Sequence, residues 1–164
     1  KEQKDLDIKY LKDPKLNDQL NVLKKIDKSF DLDEFLSGAK SAFEYIINTY
    51  VKDNETELEK FLSKKILNIY KKEILLRKKK KQKLQIEIIE IKEPVIKSVK
   101  VSSNDIATIS LEYSSQQIQV TRDIDEKLID GDPNQILDIK EVWVFSRKLR
   151  GKSPIWILEE ILDA

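Results

Sequence analysis

The chain lacks three residue types altogether: its 164 residues include no cysteine, no histidine and no methionine. Without cysteine and histidine there is no disulfide, no thiol nucleophile, no common zinc site and no catalytic triad with an imidazole base. Glycine is scarce, with three residues, so a glycine-rich loop that cradles phosphate cannot be built. We therefore expect no catalytic residues, no bound metal and no cofactor.

Long apolar runs are absent as well. The longest stretch without Asp, Glu, Lys or Arg is Tyr113–Thr121, nine residues, whereas a membrane-spanning helix needs about 20 apolar residues. Charge is abundant instead, because 31 basic residues stand against 30 acidic ones. Apolar residues make up 40% of the chain, which is enough at this length for one core without disulfides. The sequence predicts a protein that folds by packing alone and contains no spanning helix.

The first half of the chain has the 3.6-residue period of helices. Asp31 and Glu34 form a capping box, and Phe30 and Phe35 flank it as a hydrophobic staple. Apolar residues then recur at three- and four-residue steps, which predicts a helix over residues 32–52. Further helix starts are predicted at Asn54 and Ser63.

An amphipathic helix is predicted upstream, where Asp13 and Pro14 provide an N-cap and a first-turn proline. Stable peripheral attachment to a membrane usually needs an apolar signal in addition to charge, and we assign this helix to that role as a membrane helix. Its apolar stripe consists of Leu16, Leu20, Leu23 and Ile26. We accordingly divide the chain into an N-terminal amphipathic helical segment, residues 1–28, and a membrane-associated α+β domain, residues 29–164.

After Lys83 the period changes to two, which is typical of strands. The alternation shifts near Ile88 and Ile89, and this predicts a β-bulge. Predicted strands cover residues 84–91, 95–101, 106–113, 118–122, 139–149 and 156–158. Helices first and antiparallel strands afterwards predict an α+β fold in which the N-terminal helices pack on one face of a curved antiparallel sheet.

Basic residues are concentrated in one segment. Residues 71–83 carry eight basic side chains and one Glu, a charge of +7 that leaves −6 for the remainder of the chain. Such a segment either contacts an anionic surface or forms a solvated helix end, since helix C-termini favour cations. The residues that we assign to lipid or anion binding are Arg77, Lys78, Lys79, Lys80, Lys81 and Lys83.

Acidic residues crowd the connection from Asp123 to Asp138, but their spacing lacks the order of a calcium-binding loop, so a solvated loop or a partner contact is favoured. The aromatic and small residues of helix 32–52 and of the sheet either fill a core or enclose an apolar pocket. The predicted pocket residues are Phe35, Ala39, Phe43, Ile47, Tyr113, Trp143, Phe145 and Trp156.

Four segments resemble the family of the translocase-of-inner-mitochondrial-membrane subunit 44. They are Phe35–Glu44 (FLSGAKSAFE), Val120–Asp123 (VTRD) with the later Gly131–Pro133 (GDP), and Glu141–Arg147 (EVWVFSR). The resemblance covers roughly residues 29–158. It implies a cone-shaped fold like that of nuclear transport factor 2 with a deep apolar pocket, and a peripheral scaffold on cardiolipin-rich membrane.

The resemblance and the charge pattern together predict a non-enzymatic peripheral domain of an inner membrane, either bacterial or on the matrix face of mitochondria. We expect it to bind anionic phospholipid, to scaffold a protein partner, or both, in protein translocation or membrane protein biogenesis. Two alternatives stay open. Cone folds include isomerases and dehydratases that use a pocket Tyr, for which Tyr113 is the candidate. The basic segment could also contact a ribosome or RNA, although a nucleic-acid partner is not favoured because stacking aromatics are missing.

Overall fold

Helices occupy the first half of the protein and strands the second half. The computed structural model describes residues 13–164. The helices are α1 (Pro14–Ile26), α2 (Leu32–Val51), α3 (Glu55–Leu58) and α4 (Lys64–Lys79). The strands are β1 (Lys83–Ile91), β2 (Val95–Val101), β3 (Ile106–Arg122), β4 (Leu128–Gly131), β5 (Leu137–Lys148) and β6 (Ile157–Asp163). This order confirms the α+β class that the change of hydrophobic period predicts.

Each helix begins at a side-chain cap. In all four helices the cap oxygen accepts a hydrogen bond from the backbone N–H three residues further on, which satisfies a donor that the first turn would leave unpaired. The caps are Asp13, Asp31, Asn54 and Ser63. The staple ahead of α2 is also present, with the ring centroids of Phe30 and Phe35 5.7 Å apart.

The sheet is antiparallel and is organised by β3, which is 17 residues long. Strands β2 and β1 pair in succession along one edge of β3, while β5 and β4 pair along its other edge, and β6 extends the sheet from β5. The register between β1 and β3 shifts between Ile88 and Glu90, which confirms the predicted bulge.

The strands of the structure differ from the predicted ones in three places. Residues 114–117 do not interrupt β3, because their backbones pair with β5 and their polar side chains bond to one another, as from Gln117 to Ser115 (2.9 Å). Strand β4 was not expected, since all four of its residues are exposed and show no apolar alternation. Strand β6 runs past the predicted residue 158 to Asp163.

One face of the sheet carries the core. Alternate residues of β3 are buried against the helices, among them Ile109, Leu111 and Tyr113, and Trp143 of β5 joins them. Helix α1 belongs to this same core, because its apolar residues are buried and the backbone N–H of Val101 in β2 donates to the Gln19 side chain (3.0 Å). The core therefore does not divide at residue 28.

Candidate functional site

Helix α4 has two apolar faces. Ile66, Leu67 and Ile74 are buried against the rest of the domain. At 100° per residue, the opposite side of the helix presents Lys72 and Lys79, seven positions apart. Three large apolar side chains flank these lysines and are about half exposed: Ile69 (47%), Leu75 (52%) and Leu76 (53%). We call these five residues, Ile69, Lys72, Leu75, Leu76 and Lys79, the outer face of α4.

A tight turn joins α4 to β1 and continues the positive charge. The N–H of Gln82 donates to the carbonyl of Arg77 (2.9 Å), and the N–H of Lys81 donates to the carbonyl of Lys78 (3.1 Å). This is the Schellman arrangement, and Lys81 occupies its left-handed position at a φ of 53°. The side chains of this turn that the sequence assigns to anion binding are exposed: Lys78, Lys79, Lys80, Lys81 and Lys83.

Arg77 is separated from these lysines by its contacts. Its guanidinium donates to the Tyr50 hydroxyl (2.7 Å) and to the Asp53 carboxylate (3.1 Å), and it lies 4.7 Å from the centroid of the Tyr50 ring. Arg77, which the sequence assigns to anion binding, therefore links α4 to the end of α2 and is largely buried.

The acidic connection lies at the same end of the sheet as the basic turn, since Lys83 pairs with Arg122, the last residue of β3. Its first carboxylate, Asp123, accepts the backbone N–H groups of Asp125 (2.8 Å) and Lys127 (2.9 Å) and so shapes its own loop. Among residues 13–164 no group of side chains could hold a metal ion.

The stripe of α1 is not on the surface. Leu16, Leu20 and Leu23 are buried, and Ile26 packs against the same core. In this conformation the stripe is not available to a membrane, because the sheet already covers it. None of the helices in the described part of the chain has the length and hydrophobicity of a membrane span.

The eight predicted pocket residues do not enclose one cavity. Phe43 of α2 stacks on Tyr113 with ring centroids 4.4 Å apart and lies 4.7 Å from the Trp143 ring. All three side chains are almost fully buried, so the middle of the predicted pocket is filled core. The small residues of α2 leave space only beside this cluster, where two separate pockets form.

The larger pocket, which we call the apolar pocket, has a volume of about 430 Å³. Four of the predicted residues line it, namely Phe35, Ala39, Phe145 and Trp156. Gly38 and Ala42 also line it. The small residues of α2 on which the pocket prediction was based therefore lie at this pocket.

Charged residues that sequence reasoning missed lie at one side of the apolar pocket. Arg147 donates to Asp27 (3.0 Å) and lies 5.6 Å from the Trp156 ring, while its Nε is buried without a hydrogen-bond partner. Hydrogen bonds from Ser29 and from Arg147 hold the pKa of Asp27 below its ordinary value, against the opposing effect of burial. The pair joins residues 120 positions apart, so no local motif announces it.

The smaller pocket, which we call the tyrosine pocket, has a volume of about 320 Å³ and lies between α2, α4 and the sheet. Its lining includes Ile47, the remaining predicted pocket residue of α2, and Trp143. Its other lining is partly polar and was not predicted. These residues include Tyr50, Tyr70, Glu73, Gln117, Gln119 and Glu141.

Tyr113, the candidate for an enzymatic role, is engaged in the core. Its hydroxyl donates to the Ala39 carbonyl of α2 (2.7 Å), and burial raises its pKa far above the ordinary value. Among the described residues, two carboxyl groups have a shifted pKa, and in both the pKa is lowered: Asp27 and Glu57. For Glu57 the main cause is a hydrogen bond that the carboxylate accepts from the Tyr45 hydroxyl. The Tyr113 hydroxyl is occupied by the backbone of α2.

Helices on one face of an open antiparallel sheet, with pockets beside the helix–sheet contact, define the class of α+β domain to which the chain belongs. A family model described as the Tim44-like domain matches residues 16–163. The chain is therefore a member of the Tim44-like family, which confirms the resemblance in its sequence. Membership supports a membrane-associated role related to protein translocation.

Among solved structures, the chain is similar to the crystal structure of the intermembrane space region of the chloroplast protein ARC6. The two are 14% identical, the match covers 76% of this chain and 97% of that one, and the TM-score is 0.47. A search of curated proteins finds no match.

Proposed function

We propose that this protein is a non-enzymatic peripheral scaffold of protein translocation that binds the anionic surface of an inner membrane. The membrane contact is formed by the outer face of α4 and the lysines of the following turn. The observation that carries the proposal is the exposure of Ile69, Leu75 and Leu76 among these lysines. Stable peripheral attachment needs two signals, and this surface offers both charge and apolar side chains.

The magnitudes are sufficient for reversible binding. A lysine near an anionic leaflet contributes about 1 kcal/mol, so three engaged lysines give roughly 3 kcal/mol. Burial of a half-exposed Leu or Ile side chain adds about 1 kcal/mol, and three such residues roughly double the total. The sum of about 6 kcal/mol corresponds to a dissociation constant of tens of micromolar. Charge alone would leave binding in the millimolar range.

The arrangement disfavours the RNA alternative. Proteins that bind single strands without sequence preference stack bases on exposed aromatic rings. On α4 the aromatic residue, Tyr70, is turned inward, where its ring centroid lies 4.4 Å from that of Tyr50. The side chains that α4 exposes between its lysines are aliphatic, which suits lipid tails better than bases.

Co-sedimentation with vesicles tests the proposal. We expect the protein to pellet with vesicles that contain cardiolipin and to stay in solution with pure phosphatidylcholine. Replacing residues Lys78, Lys79, Lys80 and Lys81 by Glu should abolish pelleting, because attraction becomes repulsion. A control variant, Lys100→Glu with Lys148→Glu, reverses two exposed charges elsewhere on the sheet and should pellet almost as well as the parent.

The apolar signal is tested separately. Leu75→Ser with Leu76→Ser should weaken vesicle binding about 30-fold, since roughly 2 kcal/mol of burial is lost. Ile124→Ser with Ile129→Ser, at exposed positions of the acidic connection and β4, is the control and should leave binding unchanged. Parental pelleting by the Glu variant, or stronger binding to RNA than to cardiolipin vesicles, would contradict the proposal.

A further inference from the structure

The tyrosine pocket is acidic, whereas the whole chain carries 31 basic residues against 30 acidic ones. Its ionisable side chains of definite charge are Glu73 and Glu141, and no Lys or Arg lines it. The Trp143 indole donates to Glu141 (3.2 Å), which holds this carboxylate at the pocket wall. The lining therefore has a formal charge of −2 at neutral pH.

Aromatic rings border these carboxylates. Tyr50 and Tyr70 lie with their ring centroids 4.4 Å apart, and Trp143 borders the same space. Aromatic faces attract cations through the negative potential over the ring. Arg77 already lies over the Tyr50 ring, outside the lining, where its charge is paired with Asp53. This contact is an example, within the same cluster, of the interaction that a bound cation would make.

The polar floor of the pocket is also organised. Gln119 donates to Gln117 (2.8 Å), and Gln117 donates to Ser115 (2.9 Å). Both amide groups donate in the same direction, toward the N-terminal end of β3. Burial raises the pKa of Tyr70, and the negative charge of Glu141 raises it further, so the side chain is a neutral phenol. The pocket thus combines two carboxylates with neutral aromatic and amide groups.

We propose that the tyrosine pocket binds a small organic ammonium ion. Its positive charge would lie between Glu73 and Glu141, with its methyl or methylene groups against Tyr70 and Trp143. A volume of about 320 Å³ accommodates an ion of the size of choline. The proposal is independent of membrane binding, because it concerns an acidic pocket and the proposed membrane contact is a basic surface.

A titration of the full chain with choline tests the proposal. The NMR signal of the Trp143 indole N–H monitors binding. The Trp156→Phe variant assigns this signal by removing the other indole. The neutral analogue of choline, in which carbon replaces nitrogen, serves as the ligand control. Saturable shifts are expected with choline, and at least tenfold weaker binding is expected with the neutral analogue.

Two variants separate recognition from folding. Glu141→Gln retains an acceptor for the Trp143 indole, and Glu73→Gln changes an exposed helix position. Each should weaken choline binding about tenfold while the thermal transition stays at the parental temperature. Glu87→Gln, an exposed change on β1 outside the pocket, should have no effect. Equal shifts with choline and with its neutral analogue, or parental affinity in both pocket variants, would overturn the proposal.

Discussion

Helices α1 and α4 are both amphipathic, yet the protein uses their apolar residues differently. The stripe of α1 is narrow and entirely occupied by the core, whereas α4 buries one apolar face and exposes Leu75 and Leu76 on the opposite side. An amphipathic pattern therefore identifies the face that a helix buries in its own domain. A docking surface is indicated by apolar residues that remain after that face has been filled.

The largest expected effect comes from matched leucines in the two helices. Leu23→Ala in α1 should lower the free energy of unfolding by about 3–5 kcal/mol, because a fully buried side chain is replaced by a cavity. Leu76→Ala in α4 should change it by less than about 0.5 kcal/mol. Urea denaturation measures both. A similar loss in the two variants would mean that α4 also buries its outer face.

The same comparison shows what the sequence could predict. Caps, the helix period and the bulge are local, so the residues themselves identify α2, its start at Asp31 and the irregularity after Ile88. The change of hydrophobic period predicts the α+β class, and the family resemblance adds the family to which the chain belongs. The predictions became less accurate where the outcome depended on what covers a residue, as for the stripe of α1.

The candidate sites show the same limit. Several predicted pocket residues line one of two separate pockets, but composition could not show that Phe43, Tyr113 and Trp143 fill the space between them. The pairing of Asp27 with Arg147 depends on the tertiary fold alone, since 120 residues separate them. The outer face of α4 was detectable in principle, because Ile69 and Leu76 lie seven residues apart and outside the face that Ile66, Leu67 and Ile74 form.

A smaller effect is expected at the end of α1, where Asp27 binds Arg147 of β5. Asp27→Asn should cost about 1–3 kcal/mol at neutral pH, because the buried Arg147 charge loses its partner. The folded pKa of Asp27 lies below its unfolded value, so this stabilisation is complete above the unfolded pKa, near 4, and is lost as pH falls through the folded pKa. Denaturation at a series of acidic pH values measures the difference.

The exposed ion pair of α4 provides the control for Asp27. Lys71 and Glu59 are 3.3 Å apart, but both are well exposed to water. Glu59→Gln should therefore change stability by less than about 0.5 kcal/mol at any pH. If the parent and the Asp27→Asn variant lost stability in parallel between neutral and acidic pH, the ion pair would not contribute to holding α1 in place.

The smallest effect separates stability from binding in the turn after α4. Lys81 has a positive φ, a conformation that glycine adopts without strain, so Lys81→Gly should raise the free energy of unfolding by about 0.5–1 kcal/mol. It also removes one lysine from the proposed membrane contact, which should weaken binding to cardiolipin vesicles about fivefold.

Lys80→Gly is the matched control, because Lys80 has an ordinary helical φ of −83°. That variant should lose the same affinity and also lose stability, by about 0.5–1 kcal/mol, since glycine there only adds freedom to the unfolded chain. Equal affinities of both variants and the parent would show that this turn lies away from the membrane, and the contact would then have to be restricted to the outer face of α4.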